Sequence, residues 1–259
     1  MDPYFDLDPP TIKIENGTVP PDWGWIHGSQ WAGPIALQGL CYCIFYKKRR
    51  WQVSSPKNDR GPCHIFMKAL KREIEENAQY LGNGIIKADA FINHQLLPKL
   101  TTDMGLAFAE KFRKAGVTDV NRIVTAEVSG IAPALVVAQA MDVPMVFARK
   151  KKPAFMTGGL FSAHAQSRTK AEAVTLYISD RFLGPQDKVI IIDDFLATAS
   201  TLKALVSIVA DSGAQLVGVG CVIEKVFEGG REKLAHLNIP IISLACIDLV
   251  DQGESFTVF

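Results

Sequence analysis

Two adjacent carboxylates are the residues most capable of chemistry in this chain. Asp193 and Asp194 follow a β-branched run, Val189 to Ile192, and precede the hydroxyl-rich turn Thr198 to Thr201. The apolar run is typical of a parallel strand that is covered on both faces, and ligands bind beyond the carboxyl ends of such strands. A helix beginning at the turn would offer free N–H groups to an anion, while carboxylates suit sugar hydroxyls, Mg²⁺ or a sugar carbon that becomes cationic. The order predicts a sugar-phosphate site; the alternative is an ordinary turn with two solvated aspartates.

A second turn could bind another anion. Glu127 to Gly130 lies between a predicted strand and a predicted helix. The backbone N–H groups of Ser129 and Gly130 could form an anion nest there, although a simple strand-to-helix turn would have the same sequence. Arg149 and Lys150 follow the next predicted strand and lead into a glycine-containing stretch. Such a basic stretch is normally a solvated loop, but its position after a strand would also allow these two cations to contact an anion.

These segments resemble the type I phosphoribosyltransferases, whose phosphoribosyl donor is 5-phosphoribosyl pyrophosphate (PRPP). An apolar strand, two acidic residues and a small hydroxyl-rich loop form their PRPP signature, which residues 188–201 match. Three further parts of the chain are similar, in order and spacing, to the bacterial xanthine phosphoribosyltransferases of that family. They are Met67–Glu76 with Phe91–Gln95, Glu127–Ala134 with Val146–Lys150, and Val222–Lys225. The resemblance extends from Met67 to the C terminus.

The resemblance implies a fold, an activity and a cofactor. The fold would be α/β and doubly wound, with a mostly parallel sheet, a small N-terminal hood and a mobile loop. The activity would be purine salvage, in which the 5-phosphoribosyl group of PRPP passes to xanthine and gives xanthosine 5′-monophosphate and pyrophosphate. Mg²⁺ would bind with PRPP near Asp193 and Asp194, without a fixed protein site. The resemblance also implies a homodimer, and we expect it in the cytoplasm.

The resemblance also implies a role for each candidate residue. Asp193 and Asp194 would be catalytic, since they stabilise positive charge on the ribose. The remaining residues fall into three sets: Ala197, Thr198, Ala199, Ser200 and Thr201 for the 5′-phosphate; Ser129, Gly130, Arg149 and Lys150 for pyrophosphate; and Ile86, Asn93 and Lys225 for the purine. An isolated asparagine is commonly a turn residue, and a lysine that ends a strand commonly extends into solvent, so these alternatives remain open for the purine set.

Two residues depart from the family pattern. Ala197 stands where hypoxanthine and guanine enzymes carry an aspartate proposed as a base, which fits xanthine because xanthine is the more acidic oxopurine. Ala199 stands where the xanthine enzymes usually have glycine. If that position requires a positive φ, Ala199 is strained there.

Two other functions compete with xanthine transfer. One is phosphoribosyl transfer to guanine or hypoxanthine. The other is the PRPP-sensing role of the bacterial purine operon repressor, a non-catalytic relative with a winged-helix domain before this fold. The first 66 residues have about the size of such a domain, but they lack two consecutive amphipathic helices.

Composition bounds the classes of partner. A net charge of +1 on 259 residues gives no broad field for nucleic acid, and the apolar stretch Gly33–Tyr46 is too short to span a bilayer. The five cysteines are odd in number and form no paired metal spacing, which favours a reduced compartment.

Composition changes sharply near Met67. All four tryptophans and eight of the fourteen prolines precede it. We therefore expect residues 1–66 to be an extension, either translated upstream sequence or poorly ordered, and residues 67–259 to form the phosphoribosyltransferase domain.

The elements that must position the candidate residues alternate along this domain. The pattern predicts helices at 102–115, 132–141 and from about 200 to 212, with a short one at 231–237. It predicts strands at 122–126, 144–148, 189–192, 216–223 and 241–246, and an antiparallel pair at 162–166 and 173–179.

Overall fold

The computed structural model describes residues 62–152, 158–166 and 173–259. The predicted extension, residues 1–66, lies almost entirely outside these ranges. The first described helix begins at Pro62, five residues ahead of the predicted boundary at Met67. That boundary remains a prediction.

Four α-helices and ten strands make up the described part of the chain. The helices are α1 (Pro62–Asn77), α2 (Pro98–Lys114), α3 (Ile131–Met141) and α4 (Ser200–Asp211). The strands are β1 (Gln79–Tyr80), β2 (Ile86–Lys87), β3 (Arg122–Ala126), β4 (Met145–Ala148), β5 (Leu160–Gln166), β6 (Ala173–Ser179), β7 (Lys188–Leu196), β8 (Gln215–Lys225), β9 (Ile241–Val250) and β10 (Ser255–Val258). A π-helical turn covers Asp89–Asn93, and 3₁₀ turns cover Asp180–Phe182, Val226–Glu228, Glu232–Leu237 and Asp251–Gly253.

A six-stranded sheet in the order β10-β9-β8-β7-β3-β4 forms the centre of the fold. Its strands are parallel except for β10, which pairs antiparallel with β9. An antiparallel hairpin of β5 and β6 lies between β4 and β7 in the chain, and β1 pairs with β2 in a second small hairpin. The predicted α/β class with a mostly parallel sheet is confirmed.

Strand β7 shows why an unbroken apolar run suits this position. Ile190 and Ile192 are fully buried on the face that α1, α2 and α3 cover, and Val189 and Ile191 are fully buried on the face that α4 and the β5-β6 hairpin cover. Neither face meets water, so alternation with polar residues would bury unpaired groups. A glycine in β8 lets α2 approach closely, because a Cβ at Gly220 would lie 2.8 Å from Cε1 of Phe108.

Three elements, α2, β7 and β9, differ from their predicted bounds by four residues, and several others differ by one or two. Helix α2 begins at Pro98 instead of Thr102: proline is favoured in the first helical turn, and the Thr102 hydroxyl donates back to the Pro98 carbonyl at 2.9 Å instead of capping the helix. Strand β7 continues through Asp193 and Asp194 to Leu196 because β8 pairs with it along that length. The last predicted strand is longer, and β10 was not predicted.

Candidate functional site

The carboxyl ends of β3, β7 and β8 open into one cleft of about 400 Å³. Every candidate residue of the sequence analysis lines it except Arg149. The lining candidates are Ile86, Asn93, Ser129, Gly130, Lys150, Asp193, Asp194, Ala197, Thr198, Ala199, Ser200, Thr201 and Lys225. Residues up to 139 positions apart in sequence therefore share one site. This is the place where parallel α/β sheets bind ligands, because the helix N-termini and loop N–H groups meet there.

Asp193 lies at the bottom of the cleft and is 5 % exposed. Its Oδ1 accepts a hydrogen bond from the backbone N–H of Asp194 at 3.1 Å, and Asp194 Oδ1 accepts from the N–H of Phe195 at 2.9 Å. Burial raises the pKa of Asp193 well above its ordinary value, and the neighbouring charge of Asp194 raises it further, against a smaller opposing effect of Lys150. The site therefore favours a bound cation, which would relieve the repulsion between the two carboxylates.

The hydroxyl-rich turn contains a strained residue. Ala199 is the N-cap of α4 and adopts φ +64° and ψ +18°, the left-handed conformation that favours glycine. The position therefore does have a positive φ, and Ala199 is strained there as predicted. The Ser200 hydroxyl accepts a hydrogen bond from the backbone N–H of Gln166 at 2.6 Å, which joins the loop to the β5-β6 hairpin. The first N–H groups of α4 lie at the cleft, as an anion site requires.

The turn between β3 and α3 approaches the floor of the cleft so closely that only glycine fits. A Cβ at Gly130 would lie 2.2 Å from Thr125 Oγ1 and 3.2 Å from Asp193 Oδ1. Thr125 is fully buried, and its hydroxyl has no hydrogen-bond partner among the described residues. The peptide bond between Glu127 and Val128 in this turn is cis. Gly130 thus brings the backbone of the turn next to the paired carboxylates.

Glu127 connects this turn to the two predicted cations. Its Oε1 accepts a hydrogen bond from the backbone N–H of Lys150 at 2.7 Å, and its Oε2 lies 3.7 Å from Arg149 Nε. Arg149 is also held by two 2.9 Å backbone hydrogen bonds with Tyr177 of β6. Lys150 lines the cleft, but Arg149 lies beside it with its side chain directed to Glu127.

Lys225 ends β8 inside the protein and not in solvent, because it is 9 % exposed. Its Nζ donates to the Gly84 carbonyl at 3.1 Å, lies 3.9 Å from Glu228 Oε1, and lies 5.1 Å from the centre of the Phe195 ring. Gly84 belongs to the turn between β1 and β2. The small N-terminal hairpin thus reaches the end of β8. Ile86 of this hairpin and Asn93 of the π-helical turn that follows it line the same cleft as Lys225.

Sequence reasoning missed several lining residues. Glu127 and Phe195 lie close in sequence to predicted site residues, and this proximity could have indicated that they line the cleft. Gln166 and Leu176 belong to the β5-β6 hairpin, and no nearby motif indicates that they line it. Hairpin residues reach the cleft only because β5 packs against α4.

The donor set suits a hard cation that arrives with its own ligands. Within residues 62–152, 158–166 and 173–259, no group of three or more His, Cys, Asp or Glu side chains could hold a metal ion. Two carboxylates with oxygen donors fit Mg²⁺, which commonly binds one or two carboxylates together with substrate phosphates. In the described part of the chain, no helix has both the length and the apolar character needed to cross a membrane.

Comparison with known proteins identifies the family. The phosphoribosyl transferase domain matches residues 97–251, which is more than half of the chain. The chain belongs to the phosphoribosyltransferase family. The family match begins after Ile86 and Asn93, so the hairpin and the π-helical turn that carry them precede the matched region.

Individual relatives show which phosphoribosyltransferases this chain resembles in sequence. The chain is 48% identical over 192 residues to a xanthine phosphoribosyltransferase of Deinococcus deserti, covering 74% of this chain and 98% of that protein. It is 43% identical to a xanthine phosphoribosyltransferase of Streptococcus pneumoniae strain CGSP14, over 73% of this chain and 96% of that one. Both matches cover nearly the whole relative, so the resemblance to xanthine phosphoribosyltransferases is confirmed.

Solved structures of other phosphoribosyltransferases share the fold. An adenine phosphoribosyltransferase from Saccharomyces cerevisiae, complexed with an imino-altritol bisphosphate and adenine, superposes with a TM-score of 0.57 at 25% identity, over 68% of this chain and 99% of that one. An adenine phosphoribosyltransferase from Rhodothermus marinus gives 0.55 at 23% identity, over 72% and 99%.

Proposed function

We propose that this chain transfers the 5-phosphoribosyl group of PRPP to xanthine, giving xanthosine 5′-monophosphate and pyrophosphate in purine salvage. The observation that carries the proposal is the single cleft that combines paired carboxylates, a helix N-terminus and a buried lysine, in a chain 48% identical to a xanthine phosphoribosyltransferase. Each of these three features suits one part of the two substrates.

The transfer requires opposite charges to be stabilised at two places. The C1′–O bond to pyrophosphate breaks with its electron pair leaving on the pyrophosphate oxygen, and a purine nitrogen forms the new bond to C1′ while its proton passes to solvent. Asp193 and Asp194 would stabilise the positive charge that develops on the ribose. Lys150 and the backbone of Ser129 and Gly130 would receive the pyrophosphate, with Arg149 next to them.

Mg²⁺ bound with PRPP would supply charge neutralisation for the pyrophosphate, and Asp193 and Asp194 are the residues that would hold it. Burial raises the pKa of Asp193, and a bound cation would act in the opposite direction by favouring the charged carboxylate. The loop from Ala197 to Thr201 would hold the 5′-phosphate through backbone N–H groups and hydroxyls.

The purine would lie between the hairpin and the end of β8. Lys225 would donate to an oxo group of xanthine, Asn93 would read the neighbouring oxygen and N–H edge, and Ile86 would pack on the ring. Adenine carries an amino group in place of that oxo group, so its donors would face the ammonium and leave both unpaired. Ala197 has no group that could accept the purine proton, which suits an acidic base such as xanthine.

The experiment that tests this function incubates the purified chain with PRPP, Mg²⁺ and each of xanthine, guanine, hypoxanthine and adenine, and follows nucleotide formation. We expect the highest kcat/KM with xanthine and the lowest with adenine. A preference for guanine or hypoxanthine would replace the proposed substrate by that base. PRPP binding without turnover on any base would favour the PRPP-sensing repressor.

We also propose a cytoplasmic homodimer. Three exposed apolar side chains support the dimer: Val128, Leu135 and Phe147 lie on the β3-α3 turn, on α3 and on the edge strand β4, and are 70 %, 56 % and 39 % exposed. A second copy that covers this edge would remove them from water. Sedimentation of Leu135→Glu should show a shift toward monomer, whereas Val250→Glu, at the end of β9 on the far side of the sheet from β4, should leave the wild-type species. The free thiols of Cys221 and Cys246 agree with a reduced compartment.

A further inference from the structure

The segment from Val226 to Arg231 runs from the end of β8 to the back of the loop assigned to the 5′-phosphate. Its contact with that loop is made by Gly230, which is buried. A Cβ at Gly230 would lie 2.1 Å from the Ala197 carbonyl oxygen and 2.7 Å from Leu196 Cδ1. Real Cβ atoms do not approach a backbone oxygen so closely, so the Gly230 backbone and the Ala197 peptide are packed directly against each other.

Arg231 fixes this segment to the sheet. Its Nε donates to Glu224 Oε1 at 2.8 Å, and its Nη2 donates to Glu224 Oε2 at 2.5 Å. The same guanidinium donates to the Ile241 carbonyl at 2.8 Å and to the Ser243 hydroxyl at 2.9 Å. A bidentate pair with two further hydrogen bonds has one favourable geometry. The position of Gly230, one residue away, is therefore set by β8 and β9.

Glu224 has no access to a ligand, which indicates a structural partner and not a binding group. It is 4 % exposed, and the Ser243 hydroxyl also donates to it. Burial by itself would raise the pKa of Glu224, but the hydrogen bonds from Arg231 and Ser243 outweigh this effect and hold the pKa below its ordinary value. The carboxylate thus stays charged and keeps its hold on the guanidinium.

We propose that Gly230 and Arg231 are positioning residues for PRPP: Arg231 fixes the segment to β8 and β9, and Gly230 supports the Ala197 peptide so that the 5′-phosphate loop keeps its shape. The inference rests on the proposed function, because it takes residues 197–201 as the phosphate site. On the opposite side the loop is held by the hydrogen bond from Gln166 to Ser200. Ala199, in its strained conformation, lies between these two supports.

The test compares two neighbouring glycines that gain the same methyl group. Gly230→Ala should displace the Ala197 peptide, and a displacement of about 1 Å can cost on the order of 100-fold in a positioned reaction. We expect KM for PRPP to rise at least about 10-fold and the affinity for ribose 5-phosphate to fall by a similar factor, with KM for xanthine changed by less than about 3-fold. Gly229→Ala is the control. Alanine is strained at this position because φ is +63°, but the added Cβ would lie no closer than 3.6 Å to another group, Glu232 Oε2, and would displace nothing. Both PRPP and ribose 5-phosphate should bind Gly229→Ala as they bind the wild type.

A second pair keeps the test valid if Gly230→Ala folds poorly. Arg231→Lys retains the charge but cannot make the bidentate pair, and it should also raise KM for PRPP more than KM for xanthine. Lys233→Arg, on the exposed side of the following 3₁₀ turn, should change neither. Equal ribose 5-phosphate affinity in Gly230→Ala, Arg231→Lys and the wild type would overturn the inference. Ribose 5-phosphate binding does not require a base, so a wild type that binds it but transfers to no purine would contradict the proposed function and leave the inference testable.

Discussion

The carboxyl group of Asp193 lowers stability at the position where we propose that it acts. Its carboxyl group is buried beside Asp194, and its pKa is raised chiefly by burial. A carboxyl group whose pKa is higher in the folded state contributes most stability below its unfolded pKa, and this contribution is lost as pH rises through the folded pKa. At neutral pH and above, the Asp193 carboxyl group therefore lowers the free energy of unfolding. A cation bound with PRPP would offset this loss of stability.

Asp193→Asn should separate the two effects. We expect turnover to fall about 100-fold to 1,000-fold, the range for loss of one preorganised electrostatic group, while Tm rises by a few degrees at pH 8 and changes little at pH 4. Thermal unfolding at several pH values and steady-state kinetics measure both. Asp194→Asn should also lower turnover, and near wild-type turnover in both variants would contradict the PRPP assignment.

Lys225 should determine which base is accepted. Loss of one charged hydrogen bond to a buried group costs roughly 2 to 3 kcal/mol, so Lys225→Ala should lower kcat/KM for xanthine about 30-fold to 150-fold and keep the affinity for PRPP. The measurement is the set of kcat/KM values for xanthine, guanine, hypoxanthine and adenine. Lys68→Ala, an exposed lysine of α1, serves as the control. An unchanged ratio of xanthine to adenine in Lys225→Ala would remove this residue from base recognition.

At the scale of elements, the α4 N-terminus depends on an unfavourable backbone conformation at Ala199. An alanine in the left-handed region costs about 1 to 2 kcal/mol, and glycine there loses about 0.4 to 1 kcal/mol through its freer unfolded state. Ala199→Gly should therefore stabilise the protein by up to about 1 kcal/mol. Glycine can adopt φ +64° without strain, so the loop should keep its shape and KM for PRPP should change by less than about twofold.

Ala204→Gly provides the opposite control within the same helix. Ala204 is buried inside α4, where glycine should destabilise by about 1 kcal/mol. Denaturant unfolding of the two variants compares them directly. If both glycines destabilised equally, Ala199 would not be strained in solution.

The elements that local sequence determines were predicted well, and those set by distant contacts were not. Strand β3 matches its predicted bounds, and the β5-β6 hairpin pairs as predicted, because each has a clear local pattern. The continuation of β7 through two aspartates required knowledge of its pairing with β8. The same holds at the site: the order of residues indicated Asp193 and Ala199, whereas the hydrogen-bond acceptor of Lys225, the Gly84 carbonyl, lies 141 positions away in the sequence.

At the scale of the whole molecule, helix α1 is the N-terminal element that the folded domain requires. Leu70 and Ile74 are buried by 99% or more against the main core, and α1 packs on α2, β9 and β10. Burial of such side chains contributes about 1.5 to 3 kcal/mol each. We expect a chain that begins at Met67 to keep full activity and a chain that begins at Gln79 to lose its cooperative unfolding.

Limited proteolysis of the full chain provides an independent check on this boundary. Dilute protease should remove residues before Met67 and leave the remainder intact. An N-terminal segment that resists the protease, or a chain from Met67 that unfolds at lower temperature by more than a few degrees, would contradict the prediction.

The division of the cleft between two parts of the chain has a consequence for how this enzyme could diversify. Ile86 and Asn93 precede the region shared with the wider family, whereas the paired carboxylates and the phosphate loop lie inside it. With the roles proposed above, most contacts to the nucleobase and those to PRPP would come from separate parts of the chain, joined where Lys225 meets Gly84. We therefore expect replacement of residues 79–93 to alter KM for the purine more than KM for PRPP.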